Sequence, residues 1–86
     1  MKVDFSNIVV RDINGQEQKA DVRQMLGNML YMQGNNIDEC ELGQAIYHQE
    51  ADAPIELPDK QCDIIRQFAQ RLPYVMRQGL LGALKQ

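Results

Sequence analysis

Asn14-Gly15 lies between two stretches that read as strands, and this dipeptide suits a two-residue type I′ turn because both central residues need positive φ. A β-hairpin turning there is therefore expected. Val3, Phe5, Ile8, Val9 and Val10 are β-formers without helical periodicity, so a strand is predicted from about Val3 to Ile13. Its alternation slips at Ser6-Asn7: Val3 and Phe5 share one parity, Ile8 and Val10 the other. Either a bulge realigns them or both faces are partly covered. The return strand, Gln16 to Ala20, is polar and reads as an edge held by pairing. An isolated hairpin is marginal in water, so helices must cover it, and an edge left open is a place where a partner strand can add.

The rest of the chain is written in helical periods. Val22, Met25, Leu26, Met29 and Leu30 fall on one helical face, with Asp21 as N-cap, Gln24 closing a capping box, and Gly34-Asn35-Asn36 supplying left-handed residues at the end. A second helix is predicted from Asp38 to about Gln49, with Glu41 in the box and Ile37 stapled onto Leu42. Ile55-Glu56-Leu57 alternates and reads as a short third strand for the hairpin. Pro58 suits the first position of a third helix that buries Cys62, Ile65, Phe68, Ala69 and Leu72. Pro73 breaks the chain before a fourth helix carrying Met76, Leu80, Ala83 and Leu84, in which Gly79 and Gly82 permit close approach of a neighbouring helix. The expected fold is α+β: an N-terminal hairpin packed on about four short helices, in one domain that no repeat divides.

No secretory leader or span-length apolar run is read, and Cys40 and Cys62 form no C-x-x-C pair, so reduced thiols in the cytoplasm and no membrane association are expected. The net charge of −3 argues weakly against a general nucleic-acid binder, but its distribution is uneven. Residues 38 to 57 hold six acidic side chains and no Lys or Arg; residues 58 to 86 hold five basic ones against two acidic.

Catalytic and metal patterns are incomplete. His48-Gln49-Glu50 matches the H-x-E of zinc deaminases, yet the P-C-x-x-C that supplies thiolate ligands is missing. Cys40 and His48 on one helix stand roughly 12 Å apart, too far for a nucleophile–base bond. Asp38, Glu39 and Glu41 lack the alternating oxygen ligands and loop glycine of a calcium loop, and helix capping accounts for Asp38 and Glu41. No phosphate-binding glycine loop or serine elbow occurs. Neither cofactor, metal nor enzymatic activity is expected. The first two helices loosely imitate a helix-turn-helix, but the second would present Asp38, Glu39 and Glu41 to phosphates. Tyr31 and Met32 fall outside the main stripe of the first helix, which marks them as candidates for a partner-binding edge or dimer seam. If nucleic acid is bound, the candidates are Lys60, Arg66, Arg71 and Arg77.

Asp4-Phe5-Ser6-Asn7-Ile8 leading into Asp12-Ile13-Asn14-Gly15, followed by Leu26-Gly27-Asn28, Glu41-Leu42-Gly43, Ile46-Tyr47-His48 and Ile55-Glu56-Leu57, resembles small proteins encoded by phages and prophages of gut bacteria. The resemblance implies a mobile-element origin and a host-cytoplasm setting, and transfers no catalytic or binding residue. Small phage proteins commonly act by binding another protein, so a protein-interaction or assembly accessory, with self-association or a separate protein partner, is the leading expectation. A nucleic-acid-associated accessory is the alternative.

Overall fold

In the computed structural model, which describes residues 1–84, the chain runs β1 (Lys2–Val3), β2 (Ile8–Arg11), β3 (Glu17–Ala20), α1 (Arg23–Gln33), α2 (Ile37–Tyr47), β4 (Ile55–Glu56), α3 (Asp59–Ala69) and α4 (Tyr74–Ala83). This is the expected α+β architecture, rearranged at its N-terminus. The strand predicted over Val3 to Ile13 is two strands in two sheets: β2 pairs antiparallel with β3, and β1 with β4. The parity slip is a turn and not a bulge. Asp4 makes it, because its carboxylate accepts from the backbone N–H and hydroxyl of Ser6 and from Asn7 Nδ2. Ile55 and Glu56 do form a strand, but against β1 and not against the hairpin.

The hairpin turn also differs from the two-residue form. Gly15 N–H donates to Asp12 O at 3.0 Å and Asp12 N–H to Gln16 O at 2.9 Å, giving a three-residue loop in which Gly15, at φ +81°, is the residue with positive φ. Asp12 selects this loop: its Oδ1 accepts from the backbone of Asn14 and Gln16, each at 2.9 Å. The register follows, with Arg11 opposite Glu17 and Ile8 opposite Ala20.

Both predicted capping boxes move. Asp21 spends its carboxylate on the backbone and guanidinium of Arg23, so Val22 occupies the cap of α1 without a side-chain bond. For α2 the cap is Asn36, whose Oδ1 accepts from Glu39 N–H at 2.9 Å, while Glu39 Oε1 accepts from Asn35 N–H at 3.1 Å. Ile37 is left 71% exposed, and the staple on Leu42 is not formed. Gly34 is extended (φ −67°, ψ 143°), not left-handed. Space demands a glycine here, since a Cβ would collide with Leu30 O.

The prolines do precede α3 and α4, but Pro58 and Pro73 stand at the N-cap with extended ψ and not at the first helical position. Val3, Phe5, Ile8, Val22, Leu26, Leu30, Leu42, Ile46 and Leu57 close on Cys62, Ile65, Phe68, Ala69, Leu72, Leu80 and Leu84 in one core. Met25, expected inside, is 40% exposed. At Gly79 the close approach is to a strand, because an added Cβ would stand 2.8 Å from both Val9 O and Val10 Cγ1. Helix α4 thereby covers the outer edge of β2, leaving the polar β3 edge open. Gly82 has open space around it. Among the described residues no helix is long and apolar enough to cross a membrane.

Candidate protein-binding face

Helices α1 and α2 form an antiparallel hairpin that closes at two glycines. A Cβ on Gly27 would lie 2.8 Å from Tyr47 Cβ and 2.9 Å from Gly43 O; one on Gly43 would lie 2.7 Å from Gly27 O and 2.9 Å from Tyr31 N. The two contacts mirror each other because the sequence does. Leu26-Gly27-Asn28-Met29-Leu30-Tyr31 and Leu42-Gly43-Gln44-Ala45-Ile46-Tyr47 are one pattern, L-G-[NQ]-x-[LI]-Y, used twice. In each copy the Leu and the Leu/Ile enter the core, the Gly sits at the helix crossing, and the carboxamide and Tyr remain outside. Contrary to the expectation of no repeat, this short repeat is present, and its significance emerges only when the helices are paired.

The outer side of the crossing is a notch of about 190 Å³ lined by Gly27, Asn28, Tyr31, Gly43, Gln44, Tyr47 and His48. Tyr31 is 49% and Tyr47 40% exposed, and the His48 ring meets Tyr47 edge-on at 5.1 Å. Among the described residues no Asp, Glu, Lys or Arg lines it. From Gln24 to Ile37, 14 consecutive residues carry no formal charge, although α1 presents Met25, Tyr31 and Met32 to solvent. Met32, the second residue predicted for a partner edge, is 76% exposed beside Tyr31 and outside the notch. The sequence reading missed Asn28, Gln44, Tyr47 and His48.

The four predicted phosphate contacts are distributed differently. Lys60 Nζ pairs with Asp38 Oδ2 at 3.1 Å and Arg66 Nη1 with Asp63 Oδ1 at 2.7 Å. Arg71 lies 4.6 Å above the Phe68 ring and donates to Gln33 Oε1 at 3.2 Å, while Arg77 donates to Leu72 O at 3.3 Å. All four cations are thus engaged within the chain. Lys85, the fifth basic residue of this segment, lies outside the described residues.

A larger groove of about 720 Å³ runs between β2 and α4, where Val9, Tyr74 and Val75 are exposed above Gly79 and Gly82. At its rim Arg11 faces Glu17 at 3.9 Å, and the Asp4 carboxylate accepts hydrogen bonds from Ser6, Asn7 and Gln49. Burial pushes that carboxyl up, but hydrogen bonds from Ser6, Asn7 and Gln49 outweigh this and hold it at about 2. Gln49, itself buried, accepts from Phe5 N–H at 3.0 Å and donates to Asp4 at 2.7 Å, tying the first turn to the end of α2. The hydrogen bonds from Arg23 lower the Asp21 carboxyl as well.

Among the described residues no three His, Cys, Asp or Glu side chains cluster as metal ligands. Fold and face together define a small α+β domain organised on a helical hairpin. No protein-family model, curated protein or solved structure matches the chain.

Proposed function

We propose that this protein is an interaction accessory that binds another polypeptide through the outer face of α1 and α2. The observation that carries the reading is the notch-bearing face, uncharged from Gln24 to the end of α1 yet presenting Tyr31, Tyr47 and Met32 at 49%, 40% and 76% exposure. Protein interfaces are enriched in Tyr and Met and depleted of Lys, Glu and Asp at their centres, whereas a helix face turned only to water is ordinarily charged. The notch is also smaller than the roughly 300–1,000 Å³ of small-molecule sites, so it suits an inserted side chain. The resemblance to phage proteins would set this role in the cytoplasm of a phage-bearing host. The nucleic-acid alternative is weaker on the same grounds, since Lys60, Arg66, Arg71 and Arg77 all have intramolecular partners.

The test is site-specific photocrosslinking in cells with a benzoylphenylalanine at Met32, and a second at Val75 on α4 as control. A polypeptide adduct at Met32 and none at Val75 is the expected result. Absence of any adduct at Met32 under conditions that crosslink a known complex would overturn the reading.

A further inference from the structure

We infer that the occupant of the α1–α2 face is a second copy of this chain, docked about a two-fold axis so that two helical hairpins form a four-helix layer. The inference rests on the reading of that face as a protein-binding surface. Three observations favour a second copy over a different polypeptide.

The first is charge. A two-fold contact sets a patch against itself, so charges at its centre must find their opposites on the same patch or repel. Among the described residues the lining of the notch holds no carboxylate, ammonium or guanidinium. Its polar groups are instead the carboxamides of Asn28 and Gln44, the phenols of Tyr31 and Tyr47 and the imidazole of His48. Each of these both donates and accepts, which makes the patch complementary to itself in hydrogen bonding. The acidic side chains of α2, Asp38, Glu39 and Glu41, lie outside this lining.

The second is shape. One face carries both a hole, the notch of about 190 Å³ over Gly27 and Gly43, and the knobs, Tyr31 and Tyr47, that stand at its sides. The third is the internal repeat. L-G-[NQ]-x-[LI]-Y on both helices gives the face an approximate two-fold of its own, so an approaching copy meets the same side chains from α1 as from α2.

Size sets the strength. Helices of 11 residues are about 16 Å long and pack about 8–10 Å apart, so the two-helix face falls in the weak class of interfaces, below about 600 Å² per copy. Association is therefore reversible and becomes visible as concentration rises.

The experiment is sedimentation equilibrium of the full chain from about 1 μM to 1 mM, the range in which weak interfaces associate. Expected is a reversible shift from monomer to dimer mass that added salt does not weaken, because no ion pair holds it. Tyr31→Asp and Tyr47→Asp place like charges at the contact and should each raise the dissociation constant at least tenfold. Both replace exposed side chains, and retention of the native helical circular dichroism and melting profile verifies their folds. Val75→Asp on α4 should leave dimerisation unchanged. Monomer mass across the whole range overturns the inference. So does a dimer that both tyrosine variants retain, one that Val75→Asp disrupts equally, or one that salt weakens tenfold. A heterologous Met32 adduct from a chain that is monomeric alone would leave the proposed function standing and remove the self-association.

Discussion

Gly79 and Gly82 occupy the same helix three residues apart, and replacing each by Ala should affect stability differently. Relative to Gly, Ala favours a helix interior by about 1 kcal/mol, somewhat less in a final turn. At Gly82 nothing lies within 4 Å of the added Cβ, so the gain stands alone, at about 0.5–1 kcal/mol. At Gly79 the same methyl would arrive 2.8 Å from Val9 O, 2.8 Å from Val10 Cγ1 and 3.2 Å from Ile8 Cγ2. The carbonyl belongs to a paired strand and cannot turn aside. Overpacking of this kind costs about 1–3 kcal/mol, which cancels or exceeds the helical gain. Because propensity is nearly common to both variants, the difference between them isolates the contact of α4 with β2. Urea titration followed by circular dichroism should place Gly79→Ala about 1–3 kcal/mol below Gly82→Ala. In a domain of this size that amounts to roughly 4–8 °C in Tm per kcal/mol. Equal stability of the two variants would refute the close approach.

Other perturbations test the hairpin, a cap and the Asp4 hub. Gly27→Ala and Gly43→Ala should each destabilise by about 1–3 kcal/mol, and the double variant by less than their sum because one separation of α1 from α2 relieves both; strict additivity in urea midpoints would contradict the shared crossing. Asn36→Ala should cost about 1 kcal/mol, whereas Asp38→Ala removes only a surface pair with Lys60 worth about 0.5 kcal/mol; the reverse order would restore the cap to Asp38. The Asp4 carboxyl titrates at about 2 in the folded chain against 3.8 unfolded. Its contribution is therefore complete above about pH 5 and is lost as pH falls toward 2, amounting to about 1–2 kcal/mol after allowance for its solvent contact. Asp4→Asn should lower the neutral-pH urea midpoint and flatten the acid limb, and an acid limb of unchanged slope would count against the hub.

The helices and the apolar core were legible in the sequence because their signals are redundant. Five buried positions of α3 and its exit repeat with helical spacing, and Pro58 and Pro73 punctuate both ends of that stretch. The failures occurred where a single side chain chooses between local options. Asp12 diverted the turn from a two-residue to a three-residue loop, Asp4 made a turn out of what read as a continuous strand, and Asp21 bound Arg23 instead of capping. Short carboxylates compete with regular backbone pairing, and their choice depends on neighbours that one-dimensional spacing does not reveal. Tyr31 and Met32 were recognisable because they fall off the buried stripe of α1. Tyr47 directly follows the apolar pair Ala45-Ile46, and only the mirrored glycines show why it turns outward. The signal that would have found it is the repeated L-G-[NQ]-x-[LI]-Y.

The β1–β4 pair joins Lys2 to Glu56 and Val3 to Ile55, which gives the molecule an order of assembly. As the chain leaves the ribosome, α1 and α2 are neighbours in sequence and need only the short Gly34–Asn36 connection to meet. The first strand must wait until Ile55 and Glu56 have been made before its partner exists, and Phe5 waits with it for Gln49. The tyrosine face is thus complete on a nascent chain whose N-terminal residues still lack cover. On the self-association proposed above, neighbouring ribosomes on one message would hold such chains close together, and copies would meet through that face before either has finished folding.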